Sequence, residues 1–248
     1  MSIDLSGRVV AVTGASSGIG EATALACAHA GAAVALAARR TERIEALAQR
    51  IVAEGGTAVP VTADVGEEEQ ARAFVARAHS ELGRLDVLVN NAGVMLLGPI
   101  ENAPTEEWRR MIHANVLGVL YCTHAALGLM REQGGGHIVN VSSVAGRIAR
   151  AGSGVYNLTK FGVGAFSESL RQEGVAIGVR VTLIEPGAVA TELPGHNREE
   201  VLEQMAKRFA GVTPLAADDI AAAVLYAIGQ PENVSINEVL VRPSGQAG

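Results

Sequence analysis

The chain has 248 residues, of which 48 % are hydrophobic but only 3 % aromatic, so alanine supplies much of the apolar content, and the length suits one α/β domain. The formal net charge of −6 comes from mixed charges without a basic stripe, which argues against binding to nucleic acid or to an anionic membrane. Cys27 and Cys122 lie in alanine-rich segments and predict small buried side chains, with neither a disulfide framework nor a metal site. The N-terminal residues lack the cationic and apolar pattern of a signal peptide, and we expect a soluble cytoplasmic protein.

Short β-branched runs alternate with alanine-rich helical patterns along the chain. Strands are predicted at 8–14, 32–39, 57–65, 85–93, 135–143, 179–187 and 236–243. Helices are predicted at 19–31, 41–55, 67–83, 105–133 and 152–173, with another that begins near residue 216. The polar segment 188–213 shows no such pattern, and we interpret it as a mobile lid. The alternation predicts one α/β domain, 1–248, built as a doubly wound, seven-stranded parallel sheet with helices on both faces.

Glycines follow the first predicted strand in the sequence TGASSGIG, residues 13–20, just before the first predicted helix. Glycine permits a tight turn and the close approach of a phosphate, and the amino end of the helix attracts negative charge. The alternative is an ordinary turn between a strand and a helix. We expect the diphosphate of a dinucleotide to bind there, with contacts from Gly14, Ser16, Ser17, Gly18, Ile19 and Gly20.

The second predicted strand ends in ALAARR, residues 35–40, where many dinucleotide-binding proteins carry an acid. An acid there binds the ribose hydroxyls and repels a 2′-phosphate, whereas an arginine pairs with that phosphate. We therefore expect NADP(H) in preference to NAD(H), with Arg39 as the main contact to the 2′-phosphate and Arg40 as its helper. The alternative is that both arginines are solvated side chains at the start of a helix.

Five motifs occur together in the order and at the spacings of one enzyme family: TGASSGIG, NNAG at 90–93, Asn115, Ser143 and YNLTK at 156–160. On these motifs the chain resembles the short-chain dehydrogenase/reductase family over nearly its whole length. The resemblance implies a Rossmann-type fold with a cofactor half at about 1–140 and a catalytic and substrate half at about 141–248. It also implies contacts to the adenine from Asp64, which could instead cap its loop, and Val65, to the adenosine ribose from Asn91, Ala92 and Gly93, and to the nicotinamide end from Pro186, Gly187, Val189 and Thr191.

Tyr156 and Lys160 are four residues apart on a predicted helix and so share one face. A nearby ammonium favours the phenolate, so we expect Lys160 to lower the pKa of Tyr156 and to help it exchange a proton with the substrate. The hydroxyl of Ser143 can hydrogen-bond the substrate oxygen, with support from Ser142. The resemblance adds Asn115, which would hold a water that links Lys160 to solvent. Singly, each residue could instead be a cap, a backbone partner or a core side chain.

These observations predict an NADPH-dependent oxidoreductase that transfers a hydride between NADP(H) and a carbonyl or alcohol, with Tyr156 and Lys160 also touching the cofactor. A closer resemblance to some members of the family implies a small aldehyde of the clavulanate-9-aldehyde type or a 3-hydroxy acid as the substrate. We expect it to bind between 94–97, 144–150 and the segment after residue 187. His196 and Arg150 could meet a polar or anionic substrate there, or could simply be solvated. One alternative is a non-catalytic NADP(H)-binding redox sensor. Another is a 3-ketoacyl-acyl-carrier reductase, whose basic docking patch would have Arg147 and Arg150 as visible candidates. The resemblance also implies a homotetramer that pairs the helices starting near 105 and 152.

Overall fold

The computed structural model describes residues 3–247, and in that part of the chain seven strands form one sheet. Every adjacent pair is parallel, and the order is β3-β2-β1-β4-β5-β6-β7. This confirms the predicted parallel sheet. Because the chain order reverses between β1 and β4, a crevice opens beyond the carboxyl ends of these strands. The strands are β1 Val9–Thr13, β2 Ala33–Ala38, β3 Thr57–Thr62, β4 Val87–Asn90, β5 Gly136–Val141, β6 Val179–Pro186 and β7 Glu238–Val241.

Two of the helices differ from the sequence expectation. The long helix predicted at 105–133 is a pair of helices in line, α4 and α5, joined by a π-helical turn at His113–Leu117. A further helix, α7, lies within 188–213, where the sequence pattern predicts none. The helices are α1 Gly18–His29, α2 Thr41–Ala53, α3 Glu68–Leu82, α4 Thr105–Ile112, α5 Gly118–Glu132, α6 Gly154–Gly174, α7 Glu199–Arg208 and α8 Ala217–Ile228.

Alternate residues of each strand face opposite layers of helices. In β1, Val10 and Val12 pack in the cluster that includes α1, α2 and α8, whereas Ala11 packs in the cluster that includes α3 and α5. Cys27 and Cys122 are fully buried free thiols in these two clusters, as predicted. Burial raises the pKa of both thiols to about 12. Both cysteines therefore act as small core side chains.

The run Thr105–Glu132 is long and apolar enough to cross a membrane by length and composition. In the structure, however, α5 packs against α3 and β4 as part of one helical layer. The core of this domain therefore accounts for the apolar residues on the face of α5 that packs against the sheet. The opposite face of α5 points away from the sheet.

Candidate active site

The turn between β1 and α1 depends on the absence of side chains at three glycines. Gly14 has a φ of +66° and Gly18 a φ of +56°, a left-handed conformation that other residues rarely adopt. A Cβ at Gly20 would lie 2.4 Å from the carbonyl oxygen of Gly14 and 2.5 Å from Asn91 Nδ2. The backbone of the turn is therefore bare and closely packed at the amino end of α1.

The loop after β4 holds this turn in place. Thr13 Oγ1 accepts hydrogen bonds from the backbone N–H groups of Asn91 and Ala92, each at 3.0 Å. The side chain of Asn91 donates from Nδ2 to the carbonyl oxygen of Thr13 at 2.9 Å. Asn91 and Ala92 thus act on the glycine turn from the neighbouring strand, and Gly93 follows them along the cleft.

The two arginines at the end of β2 have different partners. Arg40 donates to Ser16 Oγ at 3.1 Å and to Ser17 Oγ at 2.6 Å, so its guanidinium lies across the glycine turn. It also pairs with Glu192 at 2.7 Å. Arg39 is more exposed and lies 3.7 Å from Asp64. Both guanidinium groups therefore remain beside the turn, with Arg40 the more firmly held.

Asp64 follows β3 and contacts a turn, the guanidinium of Arg39 and the ring of His113. Its Oδ1 accepts from the backbone N–H of Gly66 at 3.1 Å, which is the capping role left open by the sequence. The same oxygen lies 3.5 Å from Nε2 of His113, and Oδ2 faces Arg39. Val65 beside it is buried. The ring of His113 fits here because Gly66 has no side chain; a Cβ at Gly66 would lie 2.2 Å from His113 Cδ2.

Asn115 lies in the π-helical turn and is almost fully buried. Its side chain accepts from Val94 N at 2.8 Å and donates to Val94 O at 2.9 Å. Nδ2 also lies 3.2 Å from Thr159 Oγ1, one residue before Lys160. The amide therefore ties the loop after β4 to α6. The predicted water next to Asn115 stays a prediction.

Ser143, Tyr156 and Lys160 converge beyond the end of β5. Ser143 caps the short 3₁₀ turn 144–146 and accepts from Ala145 N at 3.1 Å. Lys160 Nζ donates to the carbonyl oxygen of Val141 at 2.9 Å and lies 5.8 Å from the centre of the Tyr156 ring. The three side chains thus line one cavity. Ser142 Oγ donates to the carbonyl oxygen of Lys160 at 3.1 Å, which is the supporting role expected of it.

The expected lowering of the Tyr156 pKa is not found in this structure. Burial raises the pKa of Tyr156 to about 12, and the effect that opposes it is a hydrogen bond with Ser143. Burial also lowers the pKa of Lys160 to about 8. Removal from water disfavours the charged form of both groups. The phenol therefore keeps its proton, and the ammonium loses its proton more easily than a solvated lysine does.

The segment after β6 covers the cleft. Pro186 ends β6, and Val189 pairs with Leu215 where the segment leaves and rejoins the domain. Thr191 lies over the glycine turn, so a Cβ at Gly18 would be 3.0 Å from its Cγ2. Asn197 accepts from Leu97 N at 2.7 Å and donates to Met95 O at 3.0 Å. These contacts hold the predicted lid against the loop after β4.

Most of the residues named from the sequence line one cleft with a cavity volume of about 770 Å³. Gly20 packs beneath the turn and Asn115 lies behind the cleft wall, so neither is among the lining residues. The named residues that line the cleft are Gly14, Ser16, Ser17, Gly18, Ile19, Arg39, Arg40, Asp64, Val65, Asn91, Ala92, Gly93, Ser142, Ser143, Arg150, Tyr156, Lys160, Pro186, Gly187, Val189, Thr191 and His196.

The sequence analysis placed the segment after residue 187 in the substrate pocket, but it missed that part of this segment is a helix, α7, whose residues Leu202, Met205 and Arg208 line the cleft. A signal for this helix was present. Acidic residues occupy its first turn and basic residues its last turn, which suits the helix dipole. Sequence reasoning also missed the contacts of Glu192 with Arg40, because nothing local links these distant positions.

Comparison with known proteins agrees with this geometry. A family model described as short chain dehydrogenase matches residues 8–202. An uncharacterized oxidoreductase of Staphylococcus saprophyticus is 42 % identical over 243 residues, which cover 97 % of this chain and 97 % of that protein.

Solved structures match over nearly the whole chain. The closed form of serine dehydrogenase complexed with NADP+ has a TM-score of 0.90 and 34 % identity, with 97 % of each chain covered. An alcohol dehydrogenase from the archaeon Thermococcus sibiricus, complexed with 5-hydroxy-NADP, has a TM-score of 0.87 and 31 % identity, with 97 % of this chain and 98 % of that chain covered. The chain therefore belongs to the short-chain dehydrogenase family and is an oxidoreductase.

Proposed function

We propose that the protein transfers a hydride between NADP(H) and a small carbonyl or alcohol substrate. The observation that carries this proposal is the convergence of Ser143, Tyr156 and Lys160 on the same cleft as the bare glycine turn. A proton donor, a hydrogen-bonding hydroxyl and a phosphate-binding turn are the parts that carbonyl reduction needs.

The residues of the cleft fit a dinucleotide. A Cβ at Gly14 would lie 2.8 Å from Ala92 Cα, so the turn can pack this closely against the loop after β4 only with glycine at this position. The turn with Ser16, Ser17 and Ile19 would hold the diphosphate at the amino end of α1. Asp64, Val65 and the loop 91–93 would hold the adenosine, and Pro186, Gly187, Val189 and Thr191 the nicotinamide end. The residues proposed for the diphosphate and the adenosine lie in 1–140, and those proposed for the nicotinamide end lie in 141–248. This distribution supports division of the domain into a cofactor half and a catalytic half.

The arginines beside the turn favour NADP(H) over NAD(H). Arg39 and Arg40 stand at the end of β2 without an acidic neighbour in that strand. Structural relatives that are 34 % and 31 % identical to this chain are complexed with NADP+ and 5-hydroxy-NADP. The contacts of Arg40 with Ser16 and Ser17 support a larger role for Arg40 than the sequence alone suggests.

The chemistry at the other end of the cleft belongs to the protein's own side chains, while bound NADPH supplies the hydride. Tyr156 keeps its proton at neutral pH because burial raises its pKa to about 12, so its phenol can donate to a carbonyl oxygen. Ser143 can hydrogen-bond the same oxygen as negative charge develops on it. Lys160 lies on the same face of α6 as Tyr156, and its hydrogen bond to the carbonyl oxygen of Val141 fixes its position. From there it can replace the proton that the phenol gives up.

The substrate class is supported by further resemblance. The stretches NNAGVMLLGPIENA, FGVGAFSESLRQE and LIEPGAVATELPGH are similar to those of clavulanic acid dehydrogenase, which reduces clavulanate-9-aldehyde. A related group acts on small 3-hydroxy acids. We therefore propose a small aldehyde or a 3-oxo or 3-hydroxy acid as the substrate.

Two other functions are less well supported. Arg147 pairs with the buried Glu185 and with Glu238, so it is not available as a docking cation for an acyl carrier. A non-catalytic redox sensor would bind NADP(H) without needing Ser143, Tyr156 and Lys160 to converge on the cleft.

The test is NADPH consumption with a panel of aldehydes, ketones and 3-oxo acids, with NADH in parallel. We expect Tyr156→Phe to lower kcat by about 10²-fold to 10⁴-fold, the usual contribution of a positioned proton donor, and to leave the Kd for NADPH unchanged. Tyr121→Phe, on the core side of α5 outside the cleft, is the matched control and should keep full activity. Equal activity of Tyr156→Phe and wild type would overturn the proposal.

We also propose that the protein is a homotetramer. Leu158 is 64 % exposed and Phe161 is 42 % exposed on α6, and only 33 % of the most apolar window of Thr105–Glu132 is buried in the single chain. Apolar side chains that are exposed on adjacent helices need a partner surface. Light scattering that gave the mass of a monomer would contradict this assembly.

A further inference from the structure

The charges that line the cleft are distributed unevenly between its two ends. Among the lining residues that the structure describes, the acids are Asp64 and Glu192. Both lie at the glycine-turn end, and both have a cation beside them: Asp64 lies 3.7 Å from Arg39, and Glu192 lies 2.7 Å from Arg40. Both acids of the cleft are therefore already paired with cations. Arg110 also lines the cleft, and it lies toward this end, since burial and then the charges of Arg110, Arg39 and Arg40 lower the pKa of His196.

The opposite end carries two arginines without acidic partners. Arg150 lies in the loop before α6, where its backbone N–H donates to Asn157 Oδ1 at 3.2 Å, directly beside Tyr156 in the sequence. Arg208 is the last residue of α7 and reaches the same cavity from the covering segment. Within residues 3–247, no ion pair at 4.0 Å or less includes the guanidinium of Arg150 or of Arg208. The two positive charges are close enough to oppose each other, since the charge of Arg150 adds to burial in lowering the pKa of Arg208.

Apolar side chains line the same cavity, among them Leu97, Ile148 and Leu202. The cavity of about 770 Å³ extends from the glycine turn to these residues and must also take the dinucleotide, so the space that remains suits a short molecule. Such a molecule would have its carbonyl near Tyr156, a short apolar body and a negative group at the arginines.

We propose that the substrate carries a carboxylate, which Arg150 and Arg208 bind together at the end of the cleft remote from the glycine turn. The inference rests on the proposed function and narrows its substrate class to short oxo acids or hydroxy acids. Guanidinium groups match the planar, two-oxygen geometry of a carboxylate. Paired cations without an acid in a partly enclosed site attract such an anion strongly.

Binding of acid and ester pairs tests the proposal without turnover. The probes are 3-hydroxypropanoate, 3-hydroxybutanoate and 4-hydroxybutanoate, each compared with its methyl ester, added to the complex of the protein with NADPH. Isothermal titration calorimetry gives the Kd. We expect at least one acid to bind about 10-fold or more tightly than its ester, as for hydrogen bonds to a charged group. Acids that bind no more tightly than their esters would overturn the proposal.

Variants assign the effect to the two arginines. Arg150→Gln and Arg208→Gln should each weaken binding of the acid by about 10-fold to 100-fold and leave the ester unchanged. Arg208→Lys should keep part of the affinity because it keeps the charge. Arg109→Gln, which pairs with Glu106 outside the cleft, is the matched control. A loss of affinity that is equal for acid and ester would indicate a general change of shape and would also overturn the proposal.

Turnover separates this inference from the proposed function. NADPH oxidation is measured with 3-oxobutanoate, 4-oxobutanoate and their methyl esters. Esters that react as well as acids, without an effect of either arginine variant, would overturn the carboxylate site and leave the reductase proposal intact. Acids that bind through Arg150 and Arg208 while no carbonyl compound consumes NADPH would overturn the reductase proposal and leave the anion site.

Discussion

Replacement of Glu192 by glutamine removes the carboxylate that contacts Arg40 across the glycine turn. In the wild type, Glu192 Oε2 lies 2.7 Å from Arg40 Nη1, and its Oε1 lies 4.0 Å from Arg43 Nη2. If the 2′-phosphate of NADPH binds Arg40, it must share or displace this contact. We therefore expect Glu192→Gln to bind NADPH more tightly than the wild type.

The size of the gain follows from the exposure of the pair. The side chains of Arg40 and Glu192 are 45 % and 49 % exposed, so solvent screens the interaction. Exposed pairs contribute about 0.2–1 kcal/mol, which corresponds to roughly a 1.5-fold to 5-fold lower Kd. The hydrogen bond from Arg40 holds the pKa of Glu192 below its usual value, so the acid is ionised and the competition is present at neutral pH. NADH has no 2′-phosphate and should gain nothing.

The assay is a fluorescence titration of NADPH and NADH at low salt and at about 1 M salt, where the Debye length is roughly 3 Å and the difference should shrink. Glu200→Gln is the matched control, since Glu200 is an exposed acid of α7 that contacts Arg198 and does not line the cleft. A Kd for NADPH that is unchanged in Glu192→Gln, or a gain that is equal for NADPH and NADH, would refute the reasoning about Arg40.

Three further predictions test the turn, the buried lysine and the assembly. Gly20→Ala should weaken NADPH binding in a fluorescence titration, because its Cβ would lie 2.4 Å from a carbonyl oxygen of the turn, whereas Gly128→Ala, with open space at its Cβ, should bind as the wild type does. The free energy of unfolding of the wild type should rise relative to that of Lys160→Met as the pH increases from about 8 to 10.5. The pKa of Lys160 is about 8 in the folded protein and 10.5 as its usual value, so in this range the unfolded chain binds a proton at Lys160 that the folded protein does not. Chemical denaturation at several pH values measures this, and a difference independent of pH would count against it. Leu158→Glu combined with Phe161→Glu should lower the mass found by light scattering, and an unchanged mass would exclude α6 from the interface.

The fold could be predicted because its signals are local. The five inner strands are nearly continuous apolar runs that are covered on both faces, and the turn between β1 and α1 carries glycine where the backbone needs it. The helix α7 within the segment 188–213 was not predicted, because it is short and rich in charged residues. What fixes its surroundings is a set of long-range contacts, such as Asn197 with Leu97 N, 100 residues apart in the sequence.

The chemistry of Tyr156 shows a second limit of sequence reasoning. Spacing places Tyr156 and Lys160 on one face of α6, and the structure brings both to the cleft. Spacing does not say how much water reaches them, and water decides the sign of the pKa shift. The ammonium turns toward Val141 O, and burial raises the pKa of the phenol to about 12. The pair is therefore better described as a protonated phenol beside a lysine of lowered pKa than as a phenolate stabilised by an ammonium.

The same distinction explains why the family could be identified from the sequence more readily than the substrate. The residues shared with the family sit at the ends of β1, β4, β5 and β6 or on α6, where the parallel sheet fixes their positions. The arginines that we assign to a carboxylate depend on a loop and on the last residue of α7, and α7 reaches the cleft only through contacts that a sequence pattern does not encode. Substrate recognition in this domain therefore rests on its least locally determined segment, and a change of substrate would need changes in α7 while the sheet and the reacting side chains stay as they are.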